Sequence, residues 1–281
     1  MAFANTYNGD VKSLNHILQT LDSFTAAIPG VTCAAGLSKS VDAEEAYYFV
    51  RGASTVAAGN AGSQLTFQSR GCTRVSIPMT KAITVSDVIP MVNYATVSDD
   101  VVADRIVYDT IGVANMYNEK FIDAISDPDE TEDFTFSTSA PAADTIYGMI
   151  VDAIKEFEVV NKARYMSPTS IIVGPTVKGL LLKCPQFTRA GALGDSVVSK
   201  GVIGEVLGLP VIYFPGLDET TAKLDFIMVN AEGVGAPISV NAMKTVDATS
   251  VGYVNGVAIA GEFTYGFKVS DSKLVIRKVH A

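Results

Sequence analysis

Residues 170–215 read SIIVGPTVKGLLLKCPQFTRAGALGDSVVSKGVIGEVLGLPVIYFP, and their order decides the fold. Ile171, Ile172 and Val173 form a short, β-branched apolar run, which predicts a buried strand. Gly174-Pro175 turns the chain and puts proline in the first turn of a helix, where it is tolerated, ahead of Val177, Leu180, Leu181 and Cys184. Pro185 ends that helix. A loop with Gly191 and Gly194 follows, and Val202, Ile203, Val206, Leu209, Val211 and Tyr213 predict a bent strand pair or hairpin hinged at Gly208. The stretch builds a compact unit and supplies no catalytic constellation.

Working outward, Pro141 and Asp144 open a helix with Ile146, Met149, Ile150, Ala153, Ile154 and Phe157 on one side and Asp152, Lys155 and Glu156 outside. Upstream, Ser98-Asp99-Asp100 caps a long helix over 99–123, with Val102, Ile106, Val113, Tyr117 and Phe121 as its apolar positions and Gly112 as a weak point or bend. Downstream of Pro215, Leu224–Val229 and Ile238–Val240 are expected to complete the sheet that Ile171–Val173 begins. The tail predicts strands over Val251–Ala260, Glu262–Val269 and Lys273–Lys278, with a hairpin turn at Ser270-Asp271-Ser272. Arg277, Lys278 and His280 make the end basic, which for a terminus reads as solubilising surface. Near the start, Ile17, Leu18 and Leu21 give a mild helical pattern followed by Pro29-Gly30, an arm rather than a core element; Ala43–Val50 fits a short helix or a strand.

The 281 residues and 48% hydrophobic content allow one large domain or two modest ones with an ample core. Cys33, Cys72 and Cys184 are odd in number and widely spaced, against a disulfide scaffold or a metal clip and in favour of a reducing compartment. The opening MAFANTYNGD lacks a basic segment followed by an apolar run, and no run of 18 apolar residues occurs, so synthesis as a soluble protein is expected.

Strand-Gly-Pro-helix, then CPQFTRA, then GVIGEVLGLPVI, resembles the major capsid proteins of tailed bacteriophages, whose HK97-like fold nanocompartment shells share. The likeness is strongest over Ala142–Pro215 and runs in the same order over Ala46–Ser126 and Lys223–Lys278. It implies an α+β chain with an amino-terminal arm (1–45) and an extended hairpin loop leading into a peripheral domain (46–86). A peripheral domain with a long spine helix (87–141), an axial domain (142–240) and a return to the periphery (241–281) follow. The implied partners are further copies in pentamers and hexamers, a separate scaffolding protein, a portal, a decoration protein and enclosed double-stranded DNA bound without sequence specificity. No cofactor and no membrane are implied, and the place is the virion capsid, assembled in the host cytoplasm.

Charge is segregated along the chain. Ala46–Ser86 holds no acid but carries Arg51, Arg70, Arg74 and Lys81, inside a protein of net charge −9. Gly52, Gly59 and Gly62 mark its middle as small and polar, and a projecting hairpin is the natural reading; the resemblance makes it the extended loop that lies across a neighbouring subunit, with arms over Val50–Phe67 and Thr73–Ile83. Phe121–Ile154 holds no Lys or Arg but carries Asp123, Asp127, Asp129, Glu130, Glu132, Asp133, Asp144 and Asp152. Arg51, Arg70, Arg74 and Lys81 are therefore expected to meet Asp127, Asp129, Glu130, Glu132 and Asp133 of a neighbouring copy, where opposite potentials choose register. A solvated acidic loop is the plainer reading of the same run, and its DPDE lacks the spacing of a calcium loop.

Enzyme chemistry has little to work with. His16 and His280 are the only histidines, and no GxSxG, GxxxxGK[ST] or HExxH occurs. Gly233-x-Gly235 lacks a dinucleotide-binding context, and Cys184 beside Lys183 sits on an apolar stripe. The classes left are a self-assembling shell protein, as phage capsid or encapsulin-like nanocompartment, an α/β hydrolase or transferase without a recognised motif, and an acidic binding module.

Overall fold

The computed structural model describes residues 40–41, 45–51, 72–90, 100–127, 132–134, 141–162, 166–184, 202–217, 223–253 and 256–280. Four strands come first: β1 (Ser40–Val41), β2 (Glu45–Arg51), β3 (Cys72–Pro78) and β4 (Lys81–Pro90). Helix α1 (Asp100–Ile125), β5 (Glu132–Phe134), α2 (Ile146–Val160), β6 (Ser170–Val173) and α3 (Pro175–Lys183) follow. The second half is mostly strand: β7 (Val202–Val206), β8 (Leu209–Tyr213), β9 (Leu224–Val229), β10 (Val234–Gly235) and β11 (Ile238–Asp247). It ends in β12 (Gly256–Tyr265), β13 (Lys268–Val269) and β14 (Val275–Val279).

A six-stranded mixed sheet, in the order β5-β14-β9-β6-β8-β7, is the centre of the molecule. Every residue of β6 and of β9 is buried, the mark of strands covered on both faces. Successive side chains divide between two cores. Ile171, Val173, Val211, Phe226 and Met228 pack with Ile146, Ile150 and Phe157 of α2 and with Val177 and Leu181 of α3. On the opposite face Ile172, Ile212, Ile227 and Val229 share a core with Val113, Tyr117, Phe121 and Ile125 of α1.

The α1 helix is 26 residues, about 39 Å long. Its buried stripe also covers an antiparallel sheet in the order β11-β12-β4, through Ile83, Ile89, Ile259 and Phe263. Tyr117 sits where the two sheets meet, with its ring 5.1 Å from Phe267 and 6.2 Å, edge-on, from Tyr265, and its hydroxyl donates to the Ala236 carbonyl. Burial holds its phenol protonated well above the usual range. At the carboxyl end of α1 the buried Arg277 of β14 donates to the Ser126 carbonyl, a cation placed at the negative end of the helix dipole. Helix α1 continues through Gly112, where an added Cβ would meet nothing within 4 Å.

Strand partners depart from the sequence-based expectation in the last third. Ile238–Val240 opens β11 and joins the sheet of β4 and β12, whereas β9 alone of the two expected strands completes the sheet of β6. Residues 248–251 form a single 3₁₀ turn capped by the Asp247 carboxylate, which accepts from the Thr249 amide at 2.9 Å, so the strand expected from Val251 starts at Gly256. No hairpin joins β13 to β14. β13 pairs with β10, while β14 enters the central sheet between β9 and β5. Val275 to Lys278 are buried without interruption, and a strand covered on both faces belongs inside a sheet rather than on a half-exposed hairpin.

Two glycines separate tight from open packing. A Cβ at Gly266 would lie 2.4 Å from the Pro78 carbonyl oxygen, where backbone meets backbone, whereas one at Gly112 would touch nothing within 4 Å. Gly266→Ala is expected to cost about 1–3 kcal/mol in urea unfolding, and Gly112→Ala to add about 0.5–1 kcal/mol.

Candidate functional site

The basic hairpin has its root in the structure as β2 and β3, paired antiparallel from Glu45 opposite Pro78 to Arg51 opposite Cys72, with β1 on the outer side of β2. Ala46, Ile77 and Met79 are buried and fasten that root to the body. Pairing starts five residues before the expected Val50, and the second arm stops at Pro78 instead of Ile83, because proline offers no N–H to continue the ladder. Lys81 therefore lies off the hairpin: it opens β4, opposite Tyr265 of β12 in another sheet.

Arg74 is exposed on β3 and held within its own hairpin. Its Nη2 lies 3.9 Å from Glu45 Oε1 and its guanidinium carbon 4.4 Å from the centre of the Tyr47 ring, while Ser76 donates to the same Glu45 carboxylate. An ion pair with both members about half exposed contributes about 0–1 kcal/mol. Such a tie positions the guanidinium without consuming it. Arg51 closes β2 opposite Cys72. Asp127 is exposed just beyond α1. Glu132 and Asp133 lie on β5, opposite Ile276 and Arg277 of β14, so part of the acidic run is the edge strand of the central sheet rather than loop. Arg70, Asp129 and Glu130 lie outside the described residues, as does most of the arm (1–45), of which Ser40, Val41 and Glu45 are described. Within one chain Arg74 has Glu45 as a partner.

The basic carboxyl end is not the solubilising surface its sequence suggests. Arg277 and Lys278 are buried, and Lys278 Nζ sits 3.9 Å from Asp225 Oδ2 while donating to the Val279 carbonyl at 2.9 Å. His280 Nδ1 lies 2.8 Å from Asp225 Oδ1, and its amide donates to the Lys223 carbonyl. Burial pulls the Lys278 ammonium below the usual lysine range, with the Asp225 charge opposing. The one available signal was Asp225 itself, an acid set inside the otherwise apolar LDFIMV run. A second charged contact ties α1 to β4, where Arg105 donates to Asp87 and holds that carboxyl below its ordinary range. Neighbouring Asp109 is pushed the other way by burial and by the Asp87 charge.

Among the described residues no three His, Cys, Asp or Glu side chains converge as a metal site, and no helix is long and apolar enough to cross a membrane. Cys184 is buried in the core under α2 and α3.

No protein-family model and no curated protein sequence matches the chain. Solved structures do. A chain of Mycobacterium phage Che8 is similar over 91% of this chain and 90% of its own, at 17% identity and a TM-score of 0.57. The capsid of the cyanophage P-SCSP1u matches over 87% and 85%, at 15% identity and TM-score 0.57. The virus-like particle of Pyrococcus furiosus matches over 90% and 97%, at 9% identity and TM-score 0.53.

This chain has the fold of a viral capsid protein. The similarity spans nearly all of it in both directions and is consistent with the α+β, HK97-like fold that the resemblance implies.

The buried pair supplies a stability test. Lys278→Met is expected to cost about 3–5 kcal/mol in urea unfolding, because it leaves the Asp225 charge buried. Asp225→Leu combined with Lys278→Met should recover most of that loss; equal losses in the single and double variants would show that the two charges do not act as a pair.

Proposed function

We propose that this chain is a structural, non-enzymatic subunit, the major capsid protein that closes into the icosahedral shell of a tailed double-stranded DNA bacteriophage. The observation that carries the reading is likeness to capsid chains over about nine-tenths of both partners, joined to a paired hairpin root in a stretch, Ala46–Ser86, that holds four cations and no acid. Copies associate as pentamers and hexamers. Arg51, Arg70 and Arg74 of one copy lie on the acidic surface of the next, around Asp127, Asp129, Glu130, Glu132 and Asp133, while Lys81 belongs to the body of the subunit that receives or supports the contact. Opposed potentials fix orientation and register more than they add affinity. The sum of many modest interfaces then holds the shell.

A net charge of −9 suits a container rather than a nucleic-acid binder, since an acidic wall does not adhere to packed DNA. Scaffolding, portal and decoration proteins are separate chains in this reading, and assembly takes place in the bacterial cytoplasm. A nanocompartment shell is the second reading, favoured by the likeness to the Pyrococcus furiosus particle. Electron microscopy of the full-length chain, purified with and without co-expressed partners, should reveal closed particles of uniform diameter, and nuclease-protected DNA inside them marks the phage role where protein cargo marks the compartment. Arg51→Glu, Arg70→Glu and Arg74→Glu together should leave the circular dichroism spectrum unchanged and abolish closed particles. Unaltered assembly by the triple variant would overturn the charge-matched contact.

A further inference from the structure

Leu207 and Gly208 join β7 to β8 in a two-residue loop, with φ of +52° and +80°. Positive φ at both positions makes a type I′ turn, whose twist matches that of the strands it connects. Gly208 suits its place: it has left-handed backbone and nothing within 4 Å of a would-be Cβ. Leu207 does not. The first position of this turn favours asparagine, aspartate or glycine, because a Cβ in the left-handed region crowds the following carbonyl. The leucine side chain is also 63% exposed, so the isolated chain carries backbone strain and bare apolar surface at the same residue.

The tip is also rigidly presented. Val206 and Val211 beside it are buried under α2 and α3, and β7 is the terminal strand of the central sheet among the described residues, with the turn itself exposed. A residue that its own chain would be better without has a use only when something covers it.

The geometry points to Leu207 as an apolar knob that docks on a second copy of this chain around a rotation axis of the shell, an assignment that rests on the shell reading above. A second copy is favoured because the folds this chain shares are those of capsids and particles, in which every subunit meets others of its kind. Such a contact is heterologous: knob from one copy, receiving surface from the next, repeated until the ring closes. Apolar surface to receive it is present on the helices that cover the same sheet, at Val159 of α2 and Leu182 of α3, each about half exposed.

The test compares full-length wild type with Leu207→Asn and Leu207→Met, reading the thermal midpoint of the dissociated chain and the protein concentration at which particles sediment. Asparagine fits the turn and removes the knob. Leu207→Asn is expected to raise the midpoint by about 2 °C and to raise the assembly concentration by about tenfold or more, while Leu207→Met, which keeps an apolar side chain, assembles like wild type. Assembly of Leu207→Asn at the wild-type concentration overturns the inference, as does a lowered midpoint, which would mean the leucine is held by its own chain. If wild type yields no closed particles either alone or with co-expressed partners, the shell reading falls and this inference with it.

Discussion

The constraint on which the structure depends is that the inner strands β6 and β9 of the six-stranded sheet are buried on both faces, so two separate layers must cover it. Strands β6 and β9 have no polar face to give to water: Ile171 and Val173 point one way, Ile172 the other, and the same alternation recurs in Phe226, Ile227 and Met228. Helices α2 and α3 cover one side. The other side takes the carboxyl half of α1, and that requirement draws the β11-β12-β4 sheet into the same core, since the helix is far longer than the central sheet alone can cover. The long helix is in this sense the shared wall of two sheets.

What the core leaves out is as informative as what it includes. The β2–β3 hairpin root is buried at Ala46, Ile77 and Met79, and it forms with β1 a small three-stranded sheet separate from the larger ones. Arg74 leans on Glu45 and Tyr47 and keeps about half its surface in solvent. Leu207 on its strained turn is likewise exposed.

Much of this was legible in the sequence because the local signals agree with the final packing. Gly174-Pro175 marks the entry to α3, Gly208 marks the β7–β8 turn, and the apolar spacing from Ile106 to Phe121 marks the buried stripe of α1. The misreadings share a cause: periodicity tells which faces are buried but not which strand lies alongside. Ile238–Val240 and Glu262–Val269 look like continuations of their sequence neighbours, yet β11 pairs across to β12 and β13 pairs back to β10. Arg277 and Lys278 look like a solvated tail because their partners, the Ser126 carbonyl and Asp225, are distant in sequence. For the candidate surface, charge segregation located the hairpin but not the register of its arms, and Lys81 was separated from it by the proline three residues earlier.

The central claim is that the cationic hairpin completes itself on another copy. A side-chain-resolution reconstruction of the assembled particle tests it most directly. The account predicts that the guanidinium groups of Arg51, Arg70 and Arg74 lie within ion-pair distance of carboxylates between Asp127 and Asp133 of an adjoining subunit. Finding all three turned back onto their own chain, with no side chain of residues 46–78 touching a neighbour, would contradict it.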